Sequence, residues 1–197
     1  MRCYMIYLLV ILVSSPCLLS AAEWFTYDRC KFVSEEDFDG DSFAAKPITG
    51  YTYLFCLYGV DCPVTDDGSE TQLAAQMKDF KRDQEEIIEW GEKAAEFTRD
   101  FLQKPFRVYT QKIKAGKSSG KSRYYVIIVN QEGKRLDEAL VEAGLARVDG
   151  VGAEWDEPMW EGEFANFPRR MTARRYLTSL RLLERKAKRE RIGIWGR

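Results

Sequence analysis

The sequence predicts an α+β domain, a small five-stranded β-barrel with helices packed on it, and three observations predict that class. Aromatic and β-branched runs come first, a long stretch of helical periodicity follows, two further β-like runs come next, and two helices close the chain. Gly, Asp and Pro punctuate the runs where short connections belong. Finally, 197 residues at 45% hydrophobic and 31% charged suit one soluble domain with a modest core.

The first three strands are expected at Phe25–Val33, Ser42–Pro47 and Tyr51–Val60, split by turn chemistry at Phe38-Asp39-Gly40-Asp41 and at Gly50. Cys62 to Glu70 is polar and broken by Pro and Gly, so it reads as a loop. Thr71 to Gln103 reads as two helical pieces. In the second, Ile87, Trp90, Ala94, Phe97 and Phe101 recur at three- and four-residue steps and mark a buried stripe, which Pro105 ends. Phe106–Ile113 and Tyr124–Asn130 complete the strands, and the Lys-, Ser- and Gly-rich Lys114–Ser122 reads as a flexible linker. A short helix, Leu136–Ala143, stops at Gly144.

Gly150 to Pro168 is an irregular insertion carrying Trp155, Trp160, Phe164 and Phe167. The final helix, about Arg170–Arg191, has Leu177, Leu180, Leu183 and Ala187 as its apolar side. Gly193 is expected as its left-handed cap, with Ile194 and Trp195 folding back. An OB-like barrel is the commonest architecture with this order of elements.

Met1 to Ala22 is expected to lie outside this fold. One early positive charge at Arg2, an apolar run from Tyr4 to Val13 and a small-residue exit at Ser20-Ala21-Ala22 make a secretory leader. The apolar run is short for a membrane span. The expected mature chain, 23–197, is a single secreted or periplasmic domain. Once the leader is removed it should be a monomer with no membrane association. Of the cysteines, Cys30, Cys56 and Cys62 then remain, an odd number in an oxidising compartment.

Histidine is absent, which excludes Ser-His-Asp and Cys-His nucleophile pairs and histidine-ligated zinc. The net charge of −1 hides two opposed halves: Glu23–Asp100 carries 8 basic and 19 acidic residues, Phe101–Arg197 carries 21 and 12. The basic excess sits in Phe167–Arg197, as a phosphate-facing helix or as a solvated face paired with the acidic half. Asp39 and Asp41 read either as hairpin-turn chemistry or as hard-metal ligands. An EF-hand loop is excluded because Ser42 stands where its glycine belongs. Asp61, between an apolar strand and Cys62-Pro63, is harder to read as a turn residue.

Several phrases line up in order: Asp39-Gly40-Asp41-Ser42-Phe43, Val60-Asp61-Cys62-Pro63, Gly91 through Thr98, Gly133 through Leu140 with Ala143-Gly144-Leu145-Ala146, and Glu184 through Trp195. Over about residues 24–197 the chain resembles the staphylococcal nuclease-like (thermonuclease) family, whose fold is an OB barrel with helices. That resemblance implies phosphodiester hydrolysis with Ca²⁺, two arginines and a glutamate, and single-stranded DNA or RNA as the partner.

Carried over by position, the metal ligands would be Asp41, Asp61 and the carbonyl of Cys62, and Arg123 would be one catalytic arginine. Lys121, Trp155, Arg170 and Arg174 would face substrate; the rings of the insertion read alternatively as its own small core. The other arginine's position holds Cys56, the general base's holds Val64, and a usual tyrosine's holds Lys121. Asp66, Asp67 and Glu70 stand nearby as substitute bases if the loop shifts. A disulfide from Cys30 to Cys56 or Cys62 is expected in place of the lost arginine. The resemblance therefore implies a nuclease whose hydrolysis is weakened or lost, or a non-catalytic module binding nucleic acid or a protein through the same groove.

Overall fold

The computed structural model describes residues 24–34, 38–111, 114–118, 121–148 and 173–196. Strands β1 (Phe25–Ser34), β2 (Ser42–Lys46), β3 (Tyr53–Leu57), β4 (Phe106–Thr110), β5 (Lys114–Ser118) and β6 (Lys121–Val129) form one sheet in the order β3-β2-β1-β4-β6-β5. Parallel pairing of β3 with β6, from Leu54↔Arg123 to Leu57↔Val126, closes β1, β2, β3, β6 and β4 into a five-stranded barrel. The fold is therefore the α+β OB barrel that the sequence predicts. Closure removes the open edges that a flat sheet would expose.

β1 turns the barrel's corner. Its first half pairs with β4, from Phe25↔Thr110 to Cys30↔Phe106, and its second half pairs with β2, from Lys31↔Lys46 to Ser34↔Ala44. The register breaks between Tyr27 and Cys30, where Arg29 adopts a left-handed φ of 51°. Such a bulge bends one strand across two neighbours. Inside, Phe43 meets Phe55 and Phe106 edge-on, each with ring centroids 6.4 Å apart. Val108 and Ile128, opposite each other across β4 and β6, fill the remaining interior.

One sequence expectation is corrected here. Lys114–Ser118, read as flexible linker, is strand β5, hairpinned onto β6 with Ser118 opposite Lys121. Composition points to flexibility, but the backbone hydrogen bonds offered by the free side of β6 outweigh it.

The helices are α1 (Glu70–Phe80), α2 (Gln84–Phe101), α3 (Leu136–Glu142) and α4 (Ala173–Glu190). Asp83 opens α2 with a full capping box, its carboxylate accepting from the Glu86 amide at 2.9 Å. Ile87 and Ala94 of the expected stripe are buried, with Trp90, Phe97 and Phe101 half-buried beside them. On α4, Leu177, Leu180 and Ala187 are buried and Leu183 is partly so. Tyr176, unread in sequence, is fully buried too and donates to the Tyr58 carbonyl at 2.8 Å.

The cap of α4 comes earlier than expected. Arg191, at φ 56°, is the left-handed residue that ends the helix, and the Ile192 amide donates back to the Ala187 carbonyl at 3.0 Å. Gly193 is left-handed as expected, at φ 59°, and serves close approach. A Cβ there would lie 2.5 Å from the carbonyl oxygens of both Ala143 and Gly144. The rim pocket formed where this tail folds back is lined by Phe80, Arg82, Lys188 and Trp195.

Candidate functional site

Three segments converge at one end of the barrel: the turn entering β2, the exit of β3 with the loop after it, and the start of β6. Asp39 builds the turn, its Oδ1 accepting from the amides of Asp41 at 3.1 Å and Ser42 at 2.6 Å. Gly40 lets the turn press onto α2: a Cβ there would lie 2.7 Å from both Ala94 Cβ and Cys62 Sγ. Thr98 of α2 fastens it by donating to the Gly40 carbonyl at 2.6 Å. Gly91, one turn before Ala94, accepts the loop itself, since a Cβ there would be 2.1 Å from the Val64 carbonyl oxygen.

Asp41 is buried, and its carboxyl is held well above the usual carboxylate range. Burial is the largest cause, followed by the charges of Asp39 and Asp61. The hairpin-turn reading thus suits Asp39, whose carboxylate accepts from the amides of the turn. Beside it, Ser42 stands opposite Cys56 in the β2–β3 ladder, and Ser42 Oγ accepts from Arg123 Nη1 at 2.9 Å. Arg123 Nε is buried without a hydrogen-bond partner. The structure therefore brings together Asp41, Asp61, Cys62, Cys56 and Arg123, as the sequence positions imply.

Asp61 is held by residues that the sequence reading missed. Its Oδ2 accepts from Arg147 Nε at 2.8 Å and from Gln76 Nε2 at 2.9 Å, and its Oδ1 accepts from Gln72 Nε2 at 3.3 Å. Arg147 also pairs with Asp79 of α1. Gln76, fully buried on α1, gives a further bond from Nε2 to the Cys62 carbonyl at 2.8 Å, and its Oε1 accepts from the Val64 amide at 2.9 Å. Nothing in the sequence around Gln72, Gln76 or Arg147 marks them as partners of Asp61.

Val64 places no proton acceptor in the site; its side chain packs against the cluster of Leu73, Phe80, Ile87 and Ile194. Among the described residues the cysteines form no disulfide. Cys30, Cys56 and Cys62 are all free, which corrects the expected bridge: Cys30 stands on β1 in register with Phe106, Cys56 on β3 and Cys62 in the loop after it. Burial and the neighbouring Asp41 push the thiols of Cys56 and Cys62 well up, so neither is a thiolate nucleophile.

Hard oxygen donors remain for a divalent cation: Asp41, with no ion pair among the described residues, and Asp61 through whatever the Arg147 and glutamine contacts leave open. Their chemistry fits Ca²⁺. Among the described residues no group of three or more His, Cys, Asp or Glu side chains is arranged to hold a metal. The remaining ligands would then be water and substrate oxygens.

Arg174 lies exposed on α4, along with Arg181, Arg185, Lys186 and Arg189. Lys188 and Arg189 pair within the helix, with Glu184 and Glu190 respectively, rather than with the acidic half. Trp155, Arg170 and the 150–168 insertion lie outside the described residues, as do the side chain of Lys121 and the expected leader 1–22. Among the described residues no helix is long and apolar enough to cross a membrane. A family model described as staphylococcal nuclease homologue matches residues 55–158. No curated protein matches the chain.

Proposed function

Since the chain belongs to the family of staphylococcal nuclease homologues, we propose that it is an extracytoplasmic nucleic-acid-binding protein of nuclease descent whose hydrolytic step is weakened or lost. One observation carries the reading: Arg123 is held by Ser42 beside buried Asp41, while the facing position is Cys56 and the loop position is Val64. One phosphate-binding arm is kept, and the groups that would complete the chemistry are not.

Arg123 donates to a phosphoryl oxygen, with Ser42 Oγ anchoring the guanidinium at Nη1. Asp41 and Asp61 would hold Ca²⁺, which when bound neutralises and polarises a phosphodiester. Asp61 keeps its orientation through Arg147 and Gln76. Val64 takes no proton from an attacking water, and Cys56 adds no charge against the developing phosphorane. Loss of one such group costs roughly 10²–10⁴ in rate. The exposed basic side of α4, including Arg174, supports backbone contacts along a single strand. Export is supported by the composition of Met1–Ala22.

The test follows cleavage and retention together, using denatured DNA and RNA with Ca²⁺ or EGTA. The expected result is retention with little cleavage, and Arg123→Ala releases the strand. Cys56→Arg combined with Val64→Glu raises Ca²⁺-dependent cleavage, and Asp41→Ala removes that gain. Fast Ca²⁺-dependent cleavage by the unaltered chain refutes the loss of chemistry, and absence of retention refutes nucleic-acid binding.

A further inference from the structure

β2 has a second end. Four residues beyond Ser42, about 13 Å along the strand, Lys46 sits directly opposite Lys31 of β1. Like charges placed directly across an antiparallel pair repel and are normally avoided. Arg29, at the strained corner of β1, joins them around the same cavity of about 630 Å³. Among the described residues no ion pair engages Arg29, Lys31 or Lys46. Three cations thus crowd one barrel end with nothing described to neutralise them.

The centre of this end is apolar. Phe32, Val33, Pro47 and Ile48 line the cavity, and large hydrophobics stand out into solvent there: Val33 is 47% exposed, Ile48 59% and, on the same β2–β3 connection, Tyr51 84%. Monomeric domains rarely gather exposed apolar side chains inside a cationic rim without a partner. Val33, Ile48 and Tyr51 project furthest, as tips around that hollow. Phe32 is already engaged edge-on with Phe38 at 5.2 Å, which leaves Tyr51 as the one free ring for a base.

We propose that this end of the barrel docks on an anionic lipid bilayer. Ile48, Tyr51 and Val33 would enter the headgroup boundary, with Arg29, Lys31 and Lys46 lying against the lipid phosphates. Charge complementarity selects an anionic surface, and the projecting apolar tips select an interface over a soluble anion. The surface lies at the opposite end of β2 from Asp41 and Arg123, so a strand held there stays accessible. The sequence-based expectation of no membrane association is revised on this geometry.

The test uses the full chain in flotation with phosphatidylglycerol-rich and with pure phosphatidylcholine vesicles. Expected is salt-sensitive flotation with the anionic vesicles only. Lys31→Glu with Lys46→Glu reduces it at least about tenfold, and Ile48→Ser with Tyr51→Ser abolishes it. Oligonucleotide retention and melting temperature are unchanged in both pairs. Absence of flotation overturns the proposal, as does equal flotation with neutral vesicles. Flotation indifferent to the substitutions also overturns it, because the apolar run 4–13 would then be the anchor. If the substitutions abolish oligonucleotide retention and leave flotation intact, the surface belongs to nucleic acid.

Discussion

Arg147 and Asp61 meet twice across 86 residues of sequence. Their backbones exchange amide–carbonyl bonds of 2.9 and 3.0 Å, and the Arg147 guanidinium then bonds the Asp61 carboxylate at 2.8 Å. With the two side chains 10% and 17% exposed, the pair is largely removed from water, so loss of one partner strands the other's charge. Arg147→Leu should cost about 3 kcal/mol, read as a fall in urea midpoint at unchanged slope. Arg147→Lys, keeping the charge without the two-sided reach to Asp79, should fall between.

Gln76 ties α1 to the loop through three bonds, to Asp61, to the Cys62 carbonyl and to the Val64 amide. Gln76→Leu keeps the volume and removes every one of them. The expected cost is about 2–3 kcal/mol, because buried groups on the loop lose partners that water does not replace. Hydrogen exchange should show the Val64 amide losing protection before the amides of β3 do.

Gly91 is where α2 touches that loop, and there is no room for a methyl group at 2.1 Å from a backbone oxygen. Gly91→Ala should destabilise by about 3 kcal/mol despite improving helix propensity. An exposed control such as Gly133→Ala meets no neighbour, and its cost comes only from its φ of +79°. A Gly91→Ala chain as stable as the parent would refute the packing described.

The three cysteines should behave as inert thiols. Burial, with Asp28 adding to it, pushes Cys30 from 9.0 up to about 12. A raised folded value means that this thiol's contribution to stability is complete below about pH 9 and is lost as pH climbs through about 12. Cys56 and Cys62 are displaced in the same direction. An aromatic disulfide reagent near neutral pH should therefore label none of the three rapidly in the folded protein and all of them in denaturant. Only one of the three thiols labelling in denaturant without reductant would restore the disulfide expectation.

Much of the barrel was legible because it rests on local patterning: the strands around Phe43, Phe55 and Val108, the stripe from Ile87 to Phe101, and the stop at Pro105. β5 was misread because Lys, Gly and Ser carry no strand signal, and its existence depends on the free side of β6. Asp41 and Asp61 were legible by position within quoted phrases, and Arg123 by position alone. Arg147 and Gln76 were not: each looks like an ordinary helix or loop residue, and only folding carries it to Asp61. Gly193 was found as a special position, but for a cap that Arg191 supplies, since a contact with Gly144 leaves no local trace.

That contact also ties the helical layer to one residue. The Ile194 amide bonds the Gly144 carbonyl at 3.0 Å, and its own carbonyl receives Arg82 Nε at 3.1 Å and Nη2 at 3.0 Å. Its side chain fills the cluster of Leu73, Phe80 and Ile87 that seats α1 against α2. The keystone of the helical layer is thus one isoleucine, far along the sequence from the two helices it locks. A chain cut before Ile194 would keep the α1 and α2 sequences but lose the wedge between them.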